Sequence, residues 1–201
     1  MLDTRVQEIL RPGLNAIAQG LVKIGFTANA VSVLGFLFAM SAAVCIVAQH
    51  YFWGAVLLCV SRLCDGLDGA VARIIKPTDF GGFLDICLDF VFYASIPLAF
   101  AYANPTTNAL AAATLLAAFM GTGSSFLAFA VIAEKRMMKS TAYPDKSFYF
   151  LGGLTEATET IAVFVAMCLW PLYFSTLAYG FAALCFITTV SRLVWGFKSF
   201  H

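Results

Sequence analysis

Asp65-Gly66-Leu67-Asp68-Gly69-Ala70-Val71-Ala72-Arg73, then seven intervening residues, then Gly81-Gly82-Phe83-Leu84-Asp85-Ile86-Cys87-Leu88-Asp89, set four carboxylates in a chain that is otherwise largely apolar. Asp65 and Asp68 are spaced i, i+3; Asp85 and Asp89 are spaced i, i+4. On helices each pair shares one face. Two such faces turned together make a four-carboxylate cage. Without a cation the cage repels itself. With one or two Mg²⁺ or Mn²⁺ ions it is a site for phosphate chemistry.

The frame around this stretch is greasy. The chain has 201 residues, of which 61% are hydrophobic and 11% charged. A soluble domain carries about 25% charged residues. So little charge cannot cover a water-facing surface, and the chain reads as an integral membrane protein. The net charge of +1 says little about partners, and no nucleic acid is expected among them. The six cysteines form no C-x-x-C pair and lie in apolar runs, which fits small packing residues. The N-terminus carries Asp3, Glu8 and Pro12 and no long apolar core, so it does not read as a signal peptide.

Residues 3–24 read as an amphipathic helix too polar to span a bilayer, and therefore interfacial. Pro12-Gly13 is a place for a bend or break. Thr27-Ala28-Asn29 offers N-cap chemistry to the next helix. Six apolar segments follow, at 29–48, 52–75, 81–103, 108–133, 153–170 and 175–197. Each meets or approaches the ~20 residues that a span needs. The expected fold is all-α: a six-span membrane bundle behind an interfacial helix, forming one domain over 1–201. With the N-terminus inside, all 12 Lys and Arg residues fall on or toward the cytoplasmic side. The opposite connections, at 49–51, 104–107 and 171–174, hold none. This asymmetry sets the orientation by the positive-inside rule, with both termini cytoplasmic.

The same count puts both Asp pairs in the cytoplasmic halves of the second and third spans, antiparallel neighbours turned at Lys76-Pro77-Thr78. Each intramembrane carboxylate costs about 2.5–3.5 kcal/mol even on a lenient insertion scale, so four together call for a cation. Oxygen ligands favour Mg²⁺, Mn²⁺ or Ca²⁺ over zinc. Both histidines, His50 and His201, are far from the cluster. Arg62, one turn before Asp65, can offset some of its charge. Gly66, Gly69, Ala70 and Ala72 leave a nearly bare helix face, suited to tight helix packing or to a substrate lying against it. Arg73 beside that face can hold a phosphate, which favours the substrate.

Asp65-x-x-Asp68-Gly69-x-x-Ala72-Arg73, then Gly81-x-x-x-Asp85-x-x-x-Asp89, resembles the signature of the CDP-alcohol phosphatidyltransferase family, with nine identities in register. Thr27, Asn29 and Ser32 match that family's Thr-x-Asn-x-x-Thr/Ser element. The resemblance implies transfer of a phosphoryl-linked group from a CDP-alcohol, CDP-diacylglycerol being favoured, to an acceptor alcohol with release of CMP. It implies that Asp65, Asp68, Asp85 and Asp89 bind two Mg²⁺ or Mn²⁺ ions and that Asp89 is also the base. Asp65, Gly69, Ala72, Arg73 and Thr78 are expected at the donor, with Asn29 and Ser32 closing over it. A homodimer in a bacterial inner membrane, with a cytoplasmic active site and a lateral opening for lipid, is also implied.

The acceptor is less legible. Lys135 and Arg136 suit either an acceptor pocket or a basic anchor for anionic lipid. Glu156 and Glu159 open the fifth span, where relatives taking a phosphorylated acceptor often carry arginines; Ala157 and Thr160 stand at those positions here. Glu156 and Glu159 suit an amine or sugar hydroxyls, or simply a helix N-terminus. Competing readings are a head-group transferase using a CDP-amino-alcohol, an intramembrane prenyltransferase and a divalent-cation transporter. The prenyltransferase lacks the Gly-x-x-Ala-Arg continuation. The transporter needs acidic groups toward the far side, and none lies there.

Overall fold

In hydrocarbon no water can bond a free N–H or C=O, so apolar runs of this length must close their hydrogen bonds within helices. The computed structural model describes residues 2–137 and 155–200. Among these the chain is all-helical, without strands. The helices are α1 (Leu2–Lys23), α2 (Ala28–Val47), α3 (Tyr51–Ile75), α4 (Asp79–Ala103), α5 (Pro105–Lys135), α6 (Ala157–Leu169) and α7 (Phe174–Phe200). A 3₁₀ turn, Pro171–Tyr173, leads into α7. Most of the charged connector expected at 134–147 lies outside the described residues.

Among the described residues, four stretches are long and apolar enough to cross a membrane: α2, α4, α5 and Pro171–Phe200. α3 has the length, at 25 residues, but carries Arg62, Asp65, Asp68 and Arg73. α6 has 13 residues. At 1.5 Å per residue that is roughly 20 Å, short of the ~30 Å hydrocarbon core. The expected fifth segment began at 153, and α6 covers only its later part. α1 runs as one helix through Pro12, so Pro12-Gly13 does not break it.

Caps mark the helix starts nearest the carboxylates. Thr27 Oγ1 accepts from the Ala30 N–H at 3.3 Å and opens α2. Thr78 Oγ1 accepts from the Gly81 N–H at 3.1 Å and opens α4. Each such cap stabilises its helix by about 1 kcal/mol. Between α3 and α4, Lys76 has φ 144°, a region that disfavours side chains. Pro77 follows it, so the turn is short and stiff.

Small residues set how closely the helices approach, as expected where hydrophobic segregation gives no drive between helices. α2 lies against both α3 and α4. At Gly35 an added Cβ would come within 2.9 Å of Cys64 Cβ, so α2 and α3 nearly touch there. Farther down the bundle, aromatic rings fill the core. Phe100 stacks on Phe174 with centroids 4.5 Å apart, and Phe92 meets Phe164 edge-on at 6.0 Å. α1 packs Leu14, Ala18, Leu21 and Val22 around Ala70 and Val71 of α3. Trp53, Trp170 and Trp195 are exposed, the placement typical of tryptophans in a lipid-facing aromatic belt. All six cysteines are free thiols.

Candidate active site

The i, i+3 and i, i+4 spacings do what helix geometry requires. α3 and α4 turn their acidic faces together, and α2 closes the third side with Ser32. One carboxylate oxygen from each of Asp65, Asp68 and Asp85 lies within 4.8 Å of the other two. Asp68 is the most enclosed, at 8% exposure. Its Oδ2 accepts a 2.6 Å hydrogen bond from Ser32 Oγ, whose oxygen also faces the Ala28 carbonyl at 3.1 Å.

These carboxylates fit a divalent cation. Two oxygens on opposite sides of one Mg²⁺ stand about 4.2 Å apart and adjacent ones about 3 Å, so a trio within 4.8 Å closes on an ion by small side-chain movements. The space they enclose with Ser32, Ser61 and Asp89 is about 10 Å³, the room of one small ion or water. The donors are all hard oxygen, which suits Mg²⁺ or Mn²⁺.

Asp89 stands apart from the trio. Its Oδ1 lies 2.8 Å from Arg62 Nη1, which also reaches Asp65 Oδ1 at 3.3 Å. The Arg62 guanidinium lies 3.9 Å above the Phe92 ring, and Nη2 donates to Ser61 Oγ at 3.2 Å. The sequence suggested that Arg62 offsets the charge of the cluster; which carboxylates it bonds, Asp89 on α4 among them, needed the fold.

The expected donor residues gather at the open end of α2, α3 and α4. Arg73 lies over Gly69: a Cβ at Gly69 would meet Arg73 Nη1 at 3.5 Å and no other neighbour. A Cβ at Gly81 would meet Thr78 Oγ1 at 3.0 Å and Asn29 Oδ1 at 3.1 Å, so this glycine lets Asn29 and Thr78 converge. The bare face of α3 is divided between its two readings. Gly66 is packed, with Leu14 at 3.1 Å from a would-be Cβ, and Ala70 is fully buried under α1. Gly69 and Ala72 are both half-buried.

Behind Asp65, Asp85 and Asp89 opens a cavity of about 580 Å³ between α4, α5, α6 and α7. Its far wall holds Thr122, Thr155, Glu156, Thr160 and Arg192. Glu156 is 7% and Arg192 9% exposed. Arg192 Nη1 donates to the Thr122 carbonyl at 2.9 Å. Arg192, one of the cations that the charge pattern assigns to the cytoplasmic side, thus turns inward. Its signal was there to read, since Cys185, Thr188 and Arg192 share one helix face. Among the acceptor candidates, Glu156 lines this cavity. Glu159 closes a capping box, its Oε2 accepting from the Glu156 N–H at 3.2 Å. Lys135 and Arg136 are exposed at the end of α5, and Arg136 Nη2 donates to the Phe200 carbonyl at 2.8 Å.

A model of the CDP-alcohol phosphatidyltransferase family matches residues 26–194, spanning every one of these site elements. The chain belongs to that family. It is an integral membrane enzyme that uses a CDP-alcohol donor and an acceptor alcohol, a transferase of substituted phosphate groups. The inner membrane protein YnjF of Escherichia coli K12 is 47% identical over 195 residues, covering 97% of this chain and 94% of that one. A solved structure of the phosphatidylinositol phosphate synthase of Mycobacterium tuberculosis, with CDP-DAG bound, is 22% identical with a TM-score of 0.72. It covers 90% of this chain and 91% of its own. The same enzyme with manganese and citrate is 23% identical with a TM-score of 0.73, covering 92% and 88%. At these identities the two structures speak for the fold.

Proposed function

We propose that this phosphatidyltransferase takes CDP-diacylglycerol as donor and passes its phosphatidyl group to the hydroxyl of a small polar alcohol, releasing CMP. The observation that carries the reading is a juxtaposition. Asp65, Asp68 and Asp85 converge within 4.8 Å, and Asp89 beside them opens onto a 580 Å³ cavity with a polar far wall. The bound CDP-DAG of the mycobacterial synthase supports the choice of donor.

In this reading Asp65, Asp68 and Asp85, with Asp89 at their edge, hold the divalent metal. When bound, Mg²⁺ or Mn²⁺ ions neutralise the diphosphate and the leaving CMP. Arg73 and Thr78 contact the donor phosphates, Gly69 and Ala72 admit the nucleotide close to the backbone, and Asn29 and Ser32 close over it. Asp89 takes the proton from the acceptor hydroxyl. That oxygen bonds the lipid-bearing phosphorus, and the bond from this phosphorus to the bridging diphosphate oxygen breaks, its electron pair leaving with CMP. The far wall, with Glu156 and Arg192, orients the acceptor.

The surrounding topology follows the charge pattern. We infer six crossings by α2 to α7, with α1 along the cytoplasmic interface and both termini and the site on that side of a bacterial inner membrane. The whole chain acts as one domain, and a homodimer is the expected assembly.

The test is to offer the purified protein CDP-diacylglycerol, Mg²⁺ or Mn²⁺ and a panel of alcohols, following CMP release and identifying the lipid product by mass spectrometry. CMP release dependent on one alcohol supports the proposal. Release only from CDP-choline or CDP-ethanolamine with diacylglycerol overturns it in favour of head-group transfer.

A further inference from the structure

The far wall of the large cavity is built to receive hydrogen bonds. Its hydroxyls have already given their protons to the protein. Thr122 Oγ1 donates to the Phe119 carbonyl at 3.1 Å, and Thr160 Oγ1 donates to the Glu156 carbonyl at 2.8 Å. Thr155 Oγ1 donates to Thr188 Oγ1 at 3.1 Å, and Thr188 in turn donates to the Leu184 carbonyl at 3.0 Å. A hydroxyl whose proton is engaged offers only lone pairs. The Glu156 carboxylate on the same wall accepts only. The opposite side of the cavity is aromatic, with Phe90, Tyr93 and Phe119.

Charge on this wall is close to balanced. Among the described residues, Arg192 is the one cation lining the cavity. Its Nη1 donates to the Thr122 carbonyl at 2.9 Å, and Glu156 sets a negative charge against it. Arg62 lines the adjoining small space and is engaged by Asp65 and Asp89. Arg136 is turned to the end of α7, where it donates to the Ser199 and Phe200 carbonyls.

A phosphate monoester at neutral pH carries a charge of roughly −1.5 to −2 and oxygens that are strong acceptors. It would bring acceptors to a wall of acceptors, and nearly two negative charges to a wall with one cation already opposed. An unesterified polyol brings several O–H donors and no charge. Its carbon skeleton suits the aromatic side, as in ligand pockets where a few polar groups orient an otherwise apolar contact.

We propose that the acceptor is an uncharged polyol without a phosphate, whose hydroxyls donate to Glu156 and to the oxygens of Thr122, Thr155 and Thr160. One hydroxyl oxygen takes the phosphatidyl group while the others stay bonded to the wall. Ala157, exposed on the same wall, keeps it free of a second cation. The inference rests on the CDP-diacylglycerol transferase reading and names the acceptor class of that site.

The test compares glycerol and myo-inositol with their phosphate monoesters, and with ethanolamine and serine. Purified full-length protein is given CDP-diacylglycerol and Mn²⁺, and CMP release is followed. A polyol should exceed its own ester in kcat/KM by at least about tenfold. Glu156→Gln keeps an amide oxygen for the capping box of α6 and turns the other oxygen into a donor. It should raise the polyol KM about tenfold, with the donor KM within about twofold. Ala157→Arg adds a cation to the wall and should raise kcat/KM for the ester at least about tenfold.

An ester used as well as its polyol would overturn the proposal, and so would ethanolamine or serine used better than either polyol. An unchanged polyol KM in Glu156→Gln would also overturn it. If Ala157→Arg does not fold, the wild-type comparison of polyol and ester decides. Calorimetric binding of the same compounds to the Mn²⁺-loaded protein needs no donor and separates the two readings. Polyol bound more tightly than its ester, but no CMP release with any alcohol, overturns the CDP-diacylglycerol reading alone. Ester bound more tightly than polyol overturns the acceptor class whatever the donor.

Discussion

Ser32 Oγ donates to Asp68 Oδ2 at 2.6 Å, joining α2 to α3 across 36 positions of sequence. The bond holds the most enclosed carboxylate of the trio in one orientation, as partners behind metal ligands commonly do. Ser32→Ala leaves the helix intact and removes this bond together with the local contact to the Ala28 carbonyl. Hydrogen bonds to charged groups contribute about 1.5–3 kcal/mol. The variant should need roughly tenfold more Mg²⁺ or Mn²⁺ for half-maximal activity, with kcat at saturating metal much less changed. A titration of activity against metal concentration measures it; an unchanged midpoint would show that Ser32 does not orient a ligand.

Asp89→Asn keeps the shape of the side chain and its contact with Arg62 while removing its basicity. Turnover should fall by about 10²- to 10⁴-fold, the usual range for a lost general base. Donor binding should persist. Equilibrium binding of a labelled CDP-alcohol beside a turnover assay separates the two, and near-normal turnover would end the base assignment.

The closeness of α2 and α3 gives a packing prediction. Gly35→Ala places a methyl 2.9 Å from Cys64 Cβ and 3.3 Å from the Ser61 carbonyl. Overpacking of this kind costs about 1–3 kcal/mol. Gly82→Ala is the control, because nothing lies within 4 Å of its added Cβ. It should be neutral or gain up to about 1 kcal/mol from helix propensity. Thermal unfolding in detergent should rank Gly35→Ala below wild type and Gly82→Ala at or above it.

Gly81→Ala tests the donor end. Its methyl would press on Thr78 Oγ1 and Asn29 Oδ1, at 3.0 and 3.1 Å. Asn29 is expected to move, and the donor KM to rise about tenfold, the equivalent of one hydrogen bond of ~1.4 kcal/mol. The acceptor KM should stay within about twofold, well below the effect of one lost bond. Equal rises in both would mean that the site had loosened as a whole.

Glu156 and Arg192 carry the acceptor reading. Glu156→Gln is close to isosteric, and Arg192→Lys keeps the charge while losing the fork. Each should raise the acceptor KM about tenfold or more, in line with a lost charge-assisted bond. Donor affinity should not move. Separate saturation curves for the two substrates decide it, and a change confined to the donor would remove the far wall from the acceptor site.

The carboxylate spacing was legible because helical periodicity is local: i, i+3 and i, i+4 put Asp65 with Asp68 and Asp85 with Asp89 wherever the helices go. The turn at Lys76-Pro77-Thr78 and the Lys/Arg asymmetry were enough to set the two pairs side by side. The acceptor region was not legible in this way. Arg192 was one more cation on the cytoplasmic side, and Glu159 stood open between acceptor binding and a helix N-terminus, until the packing of α6 and α7 was known. Glu159 then proved to bond its own helix start, and Arg192 to turn inward to Thr122.

What the amino-acid order determined by itself was the family, the helical class and the identity of the acidic pairs, since each depends on residues a few positions apart. The tertiary structure decided how the four carboxylates divide. Asp65, Asp68 and Asp85 draw together, while Asp89 is held by Arg62, a residue on another helix and 27 positions away. No periodicity encodes such a pairing. It depends on how near α2, α3 and α4 can approach, and that distance is set by the absence of side chains at glycines such as Gly35.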